Sequence, residues 1–251
     1  MKISSKALGC VGFLLVLLAW EIISASGTVS KLLVPSPLDT LNAMVSLIAN
    51  GTILHDSGVT IERTLVAFGI AVAVGIPVGL LLGFSSLAYE MFQPLVDFCR
   101  SVPSTALFPL FILFFGISDA SLIAVVVFGA VFFLMLNAMY GVHNASIARR
   151  LFAKTLGATQ LQVFFKVVLP DALPYVFVGL RQVISKVLIV VIVLEMTFIG
   201  TSGLGYRIYN YSMLYETPQM YAIIILVGLL GYVLNLVFIQ LEKRTMHWTG
   251  K

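Results

Sequence analysis

AKTLGATQLQVFFKVVLPDALP, residues 153–174, interrupts an otherwise very apolar chain with a basic, amphipathic segment marked by glycine and proline. Just upstream, IARRLFAKTLG sets Ala148, Phe152 and Leu156 on one helical face at four-residue steps, and Ile147 and Leu151 repeat that step. Gly157 is a natural C-terminal stop, and Lys154 in the last turn complements the helix dipole. Thr159 with Gln162 has capping-box spacing, so a second helix begins there. In it Leu161, Phe164, Phe165 and Val168 follow an i, i+3, i+4, i+7 pattern. Pro170 is expected to end that helix and Pro174 to open a membrane span. Residues 143–171 therefore read as a helix–glycine–helix loop at the cytoplasmic membrane face. A basic amphipathic pair of this kind can also simply lie on membrane lipid.

The surroundings fix the class. Of 251 residues, 60% are hydrophobic and 10% charged, and the mean hydropathy is +1.06. Soluble domains carry about 25% charged residues, so most of this surface is not made for water. An all-α membrane protein is expected, forming one transmembrane domain over 1–251. The net charge of +4 is read as cations at cytoplasmic membrane edges, not as a nucleic-acid footprint. Cys10 and Cys99 form no disulfide framework, and His55, His143 and His247 lie far apart without metal-ligand spacing. No metal or cofactor is expected.

Spans of about 20 apolar residues fall at Thr64–Tyr89, Ser121–Val142 and Met220–Leu241, none of which contains an acid, lysine or arginine. Ala7–Ile23 is a further span, read as an uncleaved first crossing although it resembles a signal segment. Ser101–Ser118 is charge-free but broken by Pro103 and Pro109, leaving open whether Met91–Cys99 belongs to it. Pro174–Ile199 completes six, with Arg181, Lys186 and Glu195 inside it. An even number of spans puts both termini on one side. On that side fall Lys2, Lys6, Arg100, Arg149, Arg150, Lys154, Lys166, Lys243, Arg244 and Lys251, against Lys31, Arg63 and Arg207 on the other. The excess places both termini in the cytoplasm.

Between the first two spans, VPSPLDTLNAMVSLI reads as a surface helix with Ser36 as N-cap, Pro37 at the first position and Asp39 at capping-box spacing. Gly75, Gly79 and Gly83 form a four-residue stripe that either admits a neighbouring helix or reflects the frequency of glycine in spans. Glu195 costs about 2.5–3.5 kcal/mol at a bilayer centre, so it faces protein or a water-filled path. It is either a pathway residue or an acid buried for packing. Asn137 and Asn235 read as hydrogen-bond partners between helices. Pro103 and the GTSGLG segment at 200–205, with Ser202, interrupt helices where a broken-helix pathway is expected. A serine protease centre at Ser202 would need a histidine from a neighbouring span. The only one downstream, His247, lies beyond the last span on the opposite side. No G-x-x-x-x-G-K-[ST] loop occurs, so the chain is not expected to hydrolyse ATP in that way.

The loop resembles the cytoplasmic loop of ABC importer permeases: Ala153, Gly157 and the Val167-Val168-Leu169-Pro170 ending match that family's pattern. Leu151 and Phe152 stand where the pattern has Glu and Ala. The resemblance extends over RTLVAFGIAVAVGIPVGLLLGFS, PLVDFCRSVPSTALFPLFILFFGIS, LPDALPYVFVGLR, EMTFIGTSGLGYRIYN and His247-Trp248, and is to the subgroup moving sulfonates, taurine, nitrate or thiamine precursors. It implies the type I ABC importer permease fold with a core over 60–241, in a bacterial inner membrane. It further implies a cytoplasmic ATPase docking on the loop, an extracytoplasmic solute-binding protein and a second permease copy. Residues implied to meet the ATPase are Ala153, Lys154, Leu156, Gly157 and Ala158, with Pro170 closing the element. The alternative is a secondary transporter without an ATPase, which would usually show internal repeats and more charges buried in its spans.

Overall fold

A computed structural model describes residues 5–197 and 202–245. Gly200, Thr201, His247 and Trp248 lie outside the described residues. The described residues are all helical, with no strand among them. The chain forms two compact units, one over Met1–Val59 and Glu195–Leu229 and the other over Thr60–Leu194 and Leu230–Lys251.

In the first unit, α1 (Ser5–Ala25) is tied to the chain that follows it. The Trp20 indole N–H donates to the Pro35 carbonyl at 2.9 Å, and the Trp20 ring stacks on Tyr221. Helix α2 (Pro37–Ala49) starts as its sequence requires: the Ser36 side chain accepts from the Asp39 N–H at 3.0 Å, with Pro37 in the first turn. Helix α3 (Thr52–Phe84) begins well before the expected Thr64 and stops short of Tyr89. The polar residues that looked like a membrane edge are instead consumed inside the fold. Asp56 is fully buried, and Arg63, 6% exposed, pairs with Asp119 at 2.7 Å. At the other end, Ser85 caps a new helix by accepting from the Ala88 N–H.

That helix, α4 (Ser86–Ser101), ends at an extended Pro103. A 3-10 turn (Ser104–Leu107) then leads into α5 (Phe108–Phe115), bent by 79° from α4. Pro109 occupies the first turn of α5, where a missing N–H costs nothing. Helix α6 (Asp119–His143) packs on α3 along the glycine stripe. A methyl group added at Gly75 would fall 2.7 Å from the Val131 carbonyl oxygen, and one at Gly83 would fall 2.7 Å from that of Met139. At Gly79 it would overlap the Met135 carbonyl. The stripe is a close helix–helix contact, as small residues permit.

Helices α7 (Ile147–Thr155) and α8 (Gln160–Val163) form the loop. A π-helical turn (Phe164–Val168) then joins α8 to α9 (Leu169–Thr197). Helix α10 (Leu204–Met213) and α11 (Thr217–Thr245) complete the order. Among the described residues, four helices are long and apolar enough to cross a membrane: Thr52–Phe84, Asp119–His143, Gln160–Thr197 and Thr217–Thr245. The bent pair Ser86–Ser101 with Ser104–Phe115 makes up to five, against the six expected. The apolar part of α1, Val11–Ala25, is shorter than a full crossing.

Neither Pro170 nor Pro174 breaks the chain where the sequence suggested. Helix continues from Gln160 to Thr197 as one 38-residue rod. Pro170 lacks an N–H and would crowd the carbonyl of residue 166 in a regular helix. The π turn accommodates it: the Leu169 N–H donates to Phe164, five residues back, and the widened turn lets the helix pass the proline.

Candidate functional site

The loop at 143–171 is a short rigid element built from local caps. Helix α7 starts at Ser146, whose side chain accepts from the Arg149 N–H. It ends in a Schellman motif: the Gly157 N–H reaches Lys154 at 2.9 Å and the Ala158 N–H reaches Ala153 at 3.1 Å. Gly157 adopts φ +79°, a conformation costly for residues with a side chain. Two residues later the Thr159–Gln162 capping box forms in both directions, at 2.9 and 3.3 Å. The reversal between the helices is therefore specified residue by residue.

Its base is pinned by charge. Asp171, at the start of α9, accepts from the Ser146 N–H at 3.2 Å and pairs with Arg149 at 3.0 Å. Arg150 donates to the Val142 carbonyl at the end of α6. Burial pushes the Arg150 guanidinium below its ordinary proton affinity, and Asp171 works in the opposite direction. Beneath lie the buried Val142, Ala145, Val163, Val168 and Ala172, with Phe84 set edge-on to Phe164. A methyl at Gly141 would fall 2.9 Å from the Ala172 carbonyl oxygen, so α6 and α9 meet closely under the loop.

The outer face is apolar and uncovered: Ile147, Phe152 and Leu156 are 71, 66 and 72% exposed. Beside it is a shallow depression of about 390 Å³. Ala153, Leu156, Gly157 and Ala158, four of the expected contacts, line it together with Gln162, Lys166 and Val167. Lys154 is exposed outside the depression, and Pro170 lies further along the rod. The expected apolar face of the second helix forms in part, with Phe164 packed on the buried cluster. Leu161 and Phe165 are exposed, while Val163 and Val168 are buried.

The other expected site residues divide between the units. Glu195, 2% exposed, accepts from the Gly205 N–H at 3.0 Å at the start of α10. A methyl at Gly203 would stand 2.5 Å from the Glu195 carboxyl carbon, so only glycine fits there; its φ is +111°. Asp56, fully buried, accepts from the Gly203 N–H at 2.9 Å and from Arg207. That hydrogen bond holds the Arg207 guanidinium above its ordinary proton affinity. Two carboxylates thus grip the first turn of α10, a place where negative charge is favoured. Ser202 is half-buried just ahead of that turn. Pro103 belongs to the second unit, in the break between α4 and the 3-10 turn.

Asp56 and Asp171 were not singled out from sequence. For Asp171 a signal existed: an acid between two prolines, following the paired cations Arg149 and Arg150. For Asp56 there was none, since its partners lie 147 and 151 residues away.

Residues 75–247 match the family model described as the binding-protein-dependent transport system inner membrane component. The aliphatic sulfonates transport permease protein SsuC of Escherichia coli is 30% identical over 229 residues, 91% of this chain and 87% of its own length. The nitrate import permease protein NrtB of Synechocystis is 30% identical over 248 residues, 93% of this chain and 86% of its own. Among solved structures, a chain of the MetNI methionine ABC transporter in an inward facing conformation superposes with a TM-score of 0.67 at 22% identity. That superposition covers 80% of this chain and 97% of the other.

Proposed function

Since this chain belongs to the binding-protein-dependent transport system inner membrane components, and so to the permeases of ABC importers, we propose that its loop at 143–171 receives a separate ATPase. Nucleotide-driven closure of that ATPase would push α7, and the membrane helices would move a small polar solute inward. The observation that carries this reading is the contrast within one element. The base of the loop is fixed by Asp171, Arg149 and Arg150, while its outer face leaves Ile147, Phe152 and Leu156 uncovered beside a depression. A helix that transmits force needs such fixation on one side and a partner on the other. A loop merely lying on lipid would not need a closed Schellman turn and capping box between its two helices.

The solute belongs to the class named for the relatives, a sulfonate, taurine or nitrate, or is the thiamine-precursor-like molecule that the sequence resemblance implies, delivered by an extracytoplasmic solute-binding protein. A second copy of this chain would complete the pathway. Pro103 is retained as a pathway residue because it sits in the break of a bent helix pair. For Glu195, the hydrogen bond from Gly205 supports a packing role.

The test is Gly157→Leu. A methyl there meets no neighbouring atom, but the backbone is left-handed and the leucine side chain would start from the wall of the depression. Membrane insertion should be normal, while ATP-driven uptake in proteoliposomes with the partner ATPase and the solute-binding protein should fall to background. Uptake at the wild-type rate would remove the loop from the coupling path.

A further inference from the structure

In the second unit, three helices line an open cavity of about 320 Å³ at the α4–α5 break. Small-molecule sites begin at about 300 Å³, so a small solute group fits. Pro103 and Ser104 lie at the break, and Gly129 on α6 leaves Ser104 its space: a methyl there would stand 2.8 Å from the Ser104 Cβ. Two cations reach the same wall. The Lys186 Nζ lies 3.5 Å from the centre of the Phe133 ring, and the Arg100 guanidinium lies 5.6 Å from it.

This pairing is unusual on three counts. Phe133 is near the middle of α6 and Lys186 is well inside α9, away from the ends of either helix. A lysine at such depth costs about 2.5–3.5 kcal/mol on insertion scales unless something compensates it. Arg100 has a carboxylate partner, Asp97, at 2.9 Å, whereas among the described residues Lys186 has none and rests on the ring alone. Two like charges at one ring and one cavity also repel each other, and an anion in that cavity would relieve the repulsion. Arg100, counted from sequence as an edge cation, is thus drawn onto the same ring as an intramembrane lysine.

We infer that Lys186 and Arg100, over Phe133, form a transient intramembrane site for the oxoanion head of the transported solute. The inference deepens the importer reading and rests on it for the solute's arrival. Sulfonates and nitrate share one feature: a compact anionic group with several oxygens around one atom. A lysine provides three rotatable donors and a point charge for such a group, and Ser104 sits at the same cavity. Because Lys186 sits on an aromatic ring and not on a carboxylate, it can leave that ring for a passing anion at little cost. Retention is weak, as a conduit requires.

The experiment uses the full chain in lipid nanodiscs, with thermal unfolding followed in nitrate, in ethanesulfonate and in chloride at equal ionic strength. One of the two oxoanions should raise the wild-type Tm over chloride by about 3 °C. Lys186→Gln should abolish the rise, and Lys186→Arg should keep it. Absence of a rise in the wild type with both oxoanions, or an equal rise in Lys186→Gln, overturns the site. In proteoliposomes with the ATPase and the solute-binding protein, Lys186→Gln should raise the half-saturating solute concentration about tenfold while the ATPase still co-purifies. An anion effect lost in Lys186→Gln, in a wild type that shows no nucleotide-driven uptake, keeps the site and removes the importer reading. Nucleotide-driven uptake with the same half-saturation in Lys186→Gln keeps the importer and removes the site.

Discussion

The loop at 143–171 and the first turn of α10 solve opposite problems with the same chemistry. Each uses carboxylates to hold backbone N–H groups and arginines. Asp171 holds Ser146 and Arg149, and Asp56 holds Gly203 and Arg207. At α10 everything turns inward: Asp56 and Glu195 are buried, Gly203 is pressed against Glu195, and the polar groups satisfy one another. At the loop the polar groups face the base, and the apolar side chains are left outside. A satisfied buried cluster can be explained by folding alone. An uncovered apolar face on a rigid support cannot, because nothing in the chain profits from exposing it to water. The difference separates architecture from docking surface better than the identity of any one residue.

That contrast makes the two regions respond differently to substitution, and the largest effect is expected at α10. Asp56→Ala would strand the buried Gly203 N–H and leave the half-buried Arg207 without its carboxylate, at a cost of about 3 kcal/mol. The expected outcome is poor accumulation in the membrane and a markedly lower Tm, measured in detergent. A Tm equal to wild type would show that water enters the cluster and that it is no structural anchor. Next comes Glu195→Ala, which leaves the Gly205 N–H unmatched beside a void, costing about 2 kcal/mol. Glu195→Gln retains an acceptor oxygen and should hold both Tm and uptake near wild type. A tenfold loss of uptake at unchanged Tm would return Glu195 to the pathway.

Asp171→Ala lies between the two behaviours. It removes the anchor for Ser146 and Arg149, but both are close to solvent, so the stability loss should be about 1 kcal/mol. Uptake should fall further than stability, roughly fivefold, because a loosened base lets α7 yield before the membrane helices move. Equal, small losses in both would make the anchor incidental to coupling.

What the sequence disclosed follows the range of the interactions. The Ser36–Asp39 and Thr159–Gln162 caps and the Gly157 reversal are local, set by residues within a turn of one another, and were legible. The glycine stripe was legible as a pattern, and the backbone contacts with α6 chose between its two meanings. The passage of the helix through Pro170 was not, because a π turn depends on how the following rod packs, not on the proline. Nor was the start of α3: Arg63 looks like an edge cation, and Asp56 like nothing in particular, until their distant partners are known. The Lys186–Phe133–Arg100 arrangement joins three helices and has no trace in any one of them.

The smallest effect on the fold is expected where the effect on coupling is large. Phe152, 66% exposed on the outer face of α7, contributes little packing. Phe152→Ala should leave the Tm within about 1 °C, as surface truncations do. Aromatic residues on an exposed docking face tend to carry a large share of binding energy. Co-purification of the ATPase should therefore weaken about tenfold, and ATP-driven uptake should fall with it. This outcome is the reverse of the one expected for Asp56→Ala, in which the fold fails before any partner is involved. If Phe152→Ala retained full ATPase capture, the apolar face would be a lipid contact, and the pinned base would be holding a surface helix against the bilayer instead of against a motor.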